Sequence, residues 1–397
     1  MQTLSNINKY IIILLTFVLT ISCVQKNSPV KHPKIIGPYV QMPGKDHAYI
    51  YWAENTNFLQ KGVSFENLNS VDQIWTHHKQ YIVATREAQE SREIYYKIPG
   101  IGKGNFKFAP KDWSVPFNFV VFGDNKSWHT NQENSDEKYS KIIALVEEKK
   151  PEFIINTGDI VFEGRDYRDW EKFFEISGEL MKNIPYFPVV GNHEESSEPL
   201  YNFFEFPNNK TYYSFNWGAA HFIVLNSSGF ESLVERRKYP EIEWGKYTSS
   251  FMEKVEKPFF KEQLEWLISD LEGHKGFPYI FVAFHYPVYN TLDRKIENSF
   301  IINDDWKPLF KKYNVSAVFN GHNHHYHHVE DHGTHYLITA GAGAGIYSRK
   351  SELFPGEVKY AEDNHFILVS ISSEESSFNV YNIDNEIIES FNINKRN

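Results

Sequence analysis

Cysteine is almost missing from this chain: Cys23 is the only one in 397 residues. No intramolecular disulfide can brace the fold, and paired redox thiols are excluded. Basic residues are also scarce, 41 against 51 acidic ones, for a net charge of −10. A chain this acidic, with no polybasic cluster, is a poor general ligand for nucleic acid or an anionic membrane surface. One apolar run stands out, YIIILLTFVLTIS from Tyr10 to Ser22, and it is short for a spanning helix.

What is present is globular. A hydrophobic content of 41% with 16% aromatic residues excludes a disordered or fibrous chain. The length favours two domains, each able to bury a core. Lys9 before the apolar run, and Cys23 after it, suit a signal peptide over residues 1–22. The string LTISC resembles a bacterial lipobox, which implies lipidation of Cys23 and a cell-envelope location, periplasmic or cell-surface. The expected membrane link is that lipid alone. Loss of Lys9 with residues 1–22 takes the net charge from −10 to −11. Residues 23–35 then read as a polar tether.

Further along, YVQMPGKDHAYIYWAE predicts a strand, a PGKD turn and a second strand, and QYIVATREAQESREIYYKIPG predicts two more period-two runs. Residues 36–112 are therefore expected to form a small all-β sandwich. From residue 113 to 395 the pattern changes. FNFVVFGD, EFIINTGD, YFPVVGNHE, HFIVLNS, YIFVAFHYP and SAVFNGHNH read as buried strands. Helical stretches separate several of them: SDEKYSKIIALVEEKK, YRDWEKFFEISGELMK and KPFFKEQLEWLISDLEG. This alternation predicts an α/β domain with central β-sheet flanked by helices.

Five of the six strands end in groups able to bind metal or phosphate: Asp124, Asp159, Asn192 with His193, His285, and His322 with His324. Ligands of open α/β sheets bind beyond the carboxyl ends of strands, so residues distant in sequence can converge there. Each signal alone has a plainer reading: Gly-Asp is a common turn or cap, a single histidine is commonly structural, and a tract such as HNHHYHH is often merely solvated. Together, carboxylate, carboxamide and imidazole donors without thiolate suit iron, manganese or zinc, whereas three imidazoles disfavour magnesium and calcium.

In this order, GDNKS, GDIVFEG, GNHE, FHYP and GHNH resemble the calcineurin-like metallophosphoesterase superfamily. The stretch beginning GPYVQMPGKDHAYIYW resembles the fibronectin type III-like domain that precedes the catalytic domain of purple acid phosphatases. The resemblance implies a dinuclear metal site with Asp159 bridging, Asp124 and His324 on the first ion, and Asn192, His285 and His322 on the second. It implies that His193 protonates the leaving oxygen or stabilises the transition state, and that a metal-activated hydroxide attacks a small phosphorylated substrate. His325, His327, His328, His332 and His335 have no role in the motif, His221 reads as structural, and Glu194 as a supporting or turn residue.

The sequence departs from the pattern where purple acid phosphatases place a tyrosine ligand, here Phe162, so a tyrosinate-to-iron colour is not expected. Where other members supply a histidine, it has Lys126. The first ion thus lacks an obvious fourth protein ligand. Asn125 or water is one candidate to fill the gap, and Lys126 a candidate to contact phosphate. The loop VYNTLDRKIENS lacks the further histidines of purple acid phosphatases, and the insertion from Gly229 to Lys257 is either a lid or a surface excursion. The expected activity is hydrolysis of phosphate esters, monoesters ahead of diesters or nucleotides. The alternative of another class is a catalytically weak phosphate-binding protein, and the β-sandwich reads as scaffold rather than adhesive module.

Overall fold

Residues alternate in direction along HAYIYWAEN, so β2 (His47–Asn55) buries Ala48 and Ile50 on one face and Tyr51, Ala53 and Asn55 on the other. The computed structural model describes residues 34–55, 75–83, 85, 90–130, 134–194, 197–229, 256–293, 299 and 301–396. The leader, Cys23 and most of the 229–257 insertion lie outside these residues. β2 pairs with β1 (Lys34–Gln41) and β3 (Trp75–Val83), and β4 (Glu93–Ile98) forms a hairpin with β5 (Gly102–Lys107). β1 starts at Lys34, so ordered pairing begins inside the stretch expected to be tether. The two small sheets share a core of Val40, Ile50, Ile82, Ile94, Phe106 and Phe108.

This N-terminal unit is fastened to the rest of the chain. Ile36, Tyr39 and Tyr51 join the main core, and Tyr39 Oη donates to Phe203 O at 2.8 Å. Glu152 accepts from Arg92, from Lys107 Nζ at 3.2 Å and from Trp217 Nε1 at 2.9 Å. One buried carboxylate thereby ties the β4–β5 unit to the main domain.

All six buried-strand candidates are strands: β6 (Phe117–Phe122), β7 (Ile154–Asn156), β8 (Tyr186–Pro188), β10 (Ala220–Val224), β11 (Tyr279–Phe284) and β12 (Ala317–Asn320), with β9 (Tyr213–Trp217) between the third and fourth. Six further strands follow: β13 (Tyr326–Asp331), β14 (Thr334–Thr339), β15 (Glu357–Ala361), β16 (His365–Ile371), β17 (Glu375–Asn382) and β18 (Ile387–Asn394). They build two sheets, in the orders β15-β13-β14-β12-β11-β10-β9 and β18-β17-β16-β6-β7-β8. Within them β6-β7-β8 and β10-β11-β12-β14 run parallel.

Aromatic rings fill the space between the sheets. Phe119 of β6 lies 5.0 Å from Phe222 and 5.7 Å from Phe281, and Phe281 lies 6.0 Å from Phe319. Helices cover the outer faces. α1 (Ser135–Lys149) and α2 (Tyr167–Met181) pack Tyr139, Trp170 and Phe173 into the main core. α3 (Glu198–Phe203) adds Leu200 and Phe203. On the other side α4 (Lys257–His274) and α5 (Lys307–Lys312) place Phe260, Leu267, Leu271 and Phe310 against Ile280, Val282 and Val318. No helix among the described residues is long and apolar enough to cross a membrane. The architecture leaves the carboxyl ends of β6, β7, β8, β11 and β12 together at one rim.

Candidate metal centre

The loops leaving these strands are sharply bent. Asp124, Asp159 and His322 have φ of 56°, 54° and 70°, a region that non-glycine residues enter at a cost, though Asp and His tolerate it better than most. Gly158 precedes Asp159 at φ 98°. A Cβ on Gly191 would stand 2.3 Å from Asp159 Oδ1. The glycines of the short motifs thus provide the turn and the close approach that put side chains in contact.

Six expected ligands converge. Asp124, Asp159 and His324 bring donor atoms within 4.8 Å of one another, all three buried. His324 Nε2 is 3.4 Å from Asp124 Oδ1, while its Nδ1 bonds Gly345 O at 2.7 Å. Asn192 Oδ1 lies 3.0 Å from both His285 Nε2 and His322 Nδ1, and His285 Nε2 lies 3.3 Å from Asp159 Oδ1. His285 Nδ1 faces Thr157 O at 2.9 Å, and the His322 amide donates to both oxygens of Asp124. Each imidazole therefore has its orientation fixed, and for His285 and His324 the other ring nitrogen faces the centre.

This arrangement fits a pair of metal ions. Donor arms of about 2.0–2.2 Å around one ion leave neighbouring donors about 3–3.5 Å apart, which is the spacing of the Asn192, His285 and His322 donors. Asp159 Oδ2 is buried with no hydrogen-bond partner and has the Lys126 ammonium 3.3 Å away, so it remains an acceptor that a metal cation could engage.

In the metal-free centre the donors differ in charge. Burial pushes the Asp159 carboxyl up, but His285, His193 and Lys126 outweigh it and hold it well below the usual range. Burial and then the neighbouring His285 push His322 down to about 3, and burial also lowers His324, so both are neutral and ready to donate a lone pair. For His285 burial is overcome by Asp159, which raises it to about 9.

His193 stands beside the centre. Its amide donates to Asp159 Oδ1 at 3.1 Å, Nδ1–H donates to Phe162 O at 2.5 Å, and Nε2 is left 3.8 Å from Asp159 Oδ2. Lys126 Nζ lies 3.3 Å from Asp159 Oδ2. Burial works against its charge, yet Asp159, Asp124 and Tyr347 together raise its pKa. Asn125 is not brought to the centre. Its Nδ2 donates to Ile160 O at 2.5 Å and its Oδ1 accepts from Asn156 Nδ2 at 2.8 Å, so the carboxamide braces the neighbouring loop. Phe162 stacks on Trp128 at 3.8 Å, and its other near neighbour is the His193 ring at 5.2 Å.

The remaining histidines of the tract are engaged elsewhere. His325 bonds Tyr347 O and Thr291 Oγ1, His327 bonds Glu357, and His328 bonds Glu389 and His335. His221 has both ring nitrogens 2.7 Å from acceptors, Asn216 Oδ1 and Asp270 Oδ2. Glu194 does more than a turn residue would: its two oxygens accept the amides of Asp159, Ile160, Val161 and Gly191. The acidic residue following GNH was visible in sequence, but its partners were not.

The sequence pattern described as calcineurin-like phosphoesterase matches residues 117–326, more than half of the chain. The chain belongs to that family. Among its relatives, purple acid phosphatase 13 of Arabidopsis thaliana is 27% identical over 220 residues, 49% of this chain and 35% of the plant protein. Tartrate-resistant acid phosphatase type 5 of Mus musculus is 24% identical over 255 residues, 57% of this chain and 72% of that one. In fold, the chain is similar to purple acid phosphatase PPD1 from yellow lupin (Lupinus luteus) seeds, with a TM-score of 0.68 at 14% identity over 91% of this chain and 74% of the lupin protein. The calcineurin-like assignment and the donor set agree on a dinuclear metal site.

Proposed function

We propose that this protein hydrolyses phosphate esters with two bound metal ions, and that monoesters are its preferred substrates. The observation that carries the reading is the convergence of Asp124, Asp159, Asn192, His285, His322 and His324 from five loops onto one centre around the buried Asp159 carboxylate. Asp159 faces both groups of donors and would bridge the ions. Asp124 and His324 would hold one, and Asn192, His285 and His322 the other. Ions held there supply the charge that lowers the pKa of a water and neutralises phosphate oxygens; iron, manganese and zinc suit the donors.

The chain's own residues do the rest. His193 is fixed by its Nδ1–H bond to Phe162 O, which leaves Nε2 to carry the proton delivered to the departing oxygen. Its side chain is 24% exposed, in contrast to the fully buried Asp159, so it can meet a substrate. The buried imidazoles and carboxylates hold the donors rigidly and exclude bulk water from them.

The monoester preference rests on the relatives named acid phosphatases, over the part of the chain they match. On the sequence string alone, the same proposal places the enzyme outside the cytoplasm, held by lipid on Cys23. It also makes the β1–β5 unit a fibronectin type III-like scaffold and expects no nucleic-acid partner. The test is turnover of p-nitrophenyl phosphate and bis-p-nitrophenyl phosphate before and after chelation, with elemental analysis. Chelator-sensitive turnover favouring the monoester is expected. A diester preference would shift the proposal to a phosphodiesterase, and inactive protein that added metal cannot rescue would leave a phosphate-binding role.

A further inference from the structure

The two oxygens of Asp159 face different surroundings. Oδ1 lies 3.3 Å from His285 Nε2 and accepts the His193 amide, so it turns toward the Asn192–His285–His322 group. Oδ2 has no hydrogen-bond partner, and 3.3 Å from it stands Lys126 Nζ, on a side chain only 14% exposed. The lysine is held there by its own backbone, with φ of 45° and its amide donating to Asp159 O at 3.0 Å. Lys126 therefore brings a positive charge to the same carboxylate that completes the Asp124–Asp159–His324 group.

We propose that Lys126 makes the Asp124–Asp159–His324 site a weak, exchangeable metal site, because its ammonium and the metal ion compete for Asp159, while the Asn192–His285–His322 site keeps its ion. The inference rests on the two-ion reading of the centre. A cation entering the first site meets a fixed positive charge in a region of reduced dielectric, where like charges repel more strongly than in water. Among the described residues its carboxylate and imidazole donors are the three of this group, and Phe162, stacked on Trp128, has no atom to coordinate. Without the ion, the ammonium offsets the two buried carboxylates, whose proximity would otherwise be costly. The protein would thus carry one resident ion and respond to the free concentration of the second.

The test is titration of the metal-stripped full chain with manganese, read by calorimetry and by elemental analysis after equilibrium dialysis. Wild type is expected to show two binding constants at least tenfold apart. Lys126→Met, which removes the charge and keeps the length, should tighten the weaker constant about tenfold and leave the tighter within twofold. Constants unaffected by Lys126→Met, or a weaker site made weaker still, overturn the proposal. Should that variant not fold, Lys126→Gln replaces it, and two indistinguishable constants in wild type overturn the proposal unaided. No manganese bound to any form overturns this inference and the two-ion reading together, whereas two equal sites insensitive to residue 126 overturn this inference alone.

Discussion

Glu194 Oε2 accepts the backbone amide of Asp159 at 3.0 Å and that of Gly191 at 2.8 Å, while Oε1 accepts those of Ile160 and Val161. The fully buried carboxylate thus clamps together the loops that present Asp159 and Asn192. Burial and then Asp159 raise its pKa to about 7. Glu194→Gln keeps the shape but turns an NH₂ group toward two amide donors. Because unsatisfied buried donors cost about 1–3 kcal/mol each, we expect a loss of about 2–4 kcal/mol in urea unfolding of the metal-free protein. A change below about 0.5 kcal/mol, the usual effect of an incidental surface substitution, would contradict the clamp.

His193 touches no expected metal donor except Asp159, and its Nε2 is the ring atom left open. His193→Ala should lower kcat about 10²–10⁴-fold, the range for a lost general acid, with unchanged metal content. The loss should be larger for an alkyl phosphate than for p-nitrophenyl phosphate, whose leaving group needs little protonation. Equal losses on both substrates would assign His193 to binding or positioning.

Much of this could be read from the residues. FNFVVFGD and EFIINTGD were legible as buried strands because both faces are covered, and they became β6 and β7. Polar groups at strand ends were legible as a site because topology gathers such ends. The late strands β13–β18 were not anticipated: YHHVED and HFILVSI carry histidines and mixed polarity that blur the two-residue period. The destination of Asn125 was hidden as well, since its partners Ile160 and Asn156 lie more than thirty residues away. Left-handed φ at Asp124, Asp159 and His322 is set by tertiary contact, and no local signal announces it.

His322 and His324, two residues apart, face different partners: Asn192 for one and Asp124 for the other. Their alanine variants should therefore fail differently. His322→Ala is expected to lose the ion shared with Asn192 and His285 and to keep the one at Asp124, and His324→Ala the reverse. Elemental analysis at saturating manganese should find about one ion per chain in each variant, as expected for two sites that share Asp159 but have different imidazole donors. Joint loss of both ions from either variant would mean that the two groups act as one site.

His335 Nδ1 lies 2.9 Å from His328 Nε2, and His328 Nδ1 lies 3.0 Å from Glu389 Oε1. Burial and then His328 push His335 down to about 4. In the unfolded chain the imidazole titrates near its ordinary value of about 6.5. As pH falls from there, the unfolded state takes up the proton first, so stability must fall between about pH 6.5 and 4 and then level off for this residue. The whole contribution is at most about 3 kcal/mol. His335→Gln removes the titrating group, and its denaturant midpoint should fall less steeply with acid over that window, by about one proton in the slope. An unaltered slope in the variant would show that His335 exchanges its proton equally in both states and that the acid sensitivity lies with other buried imidazoles.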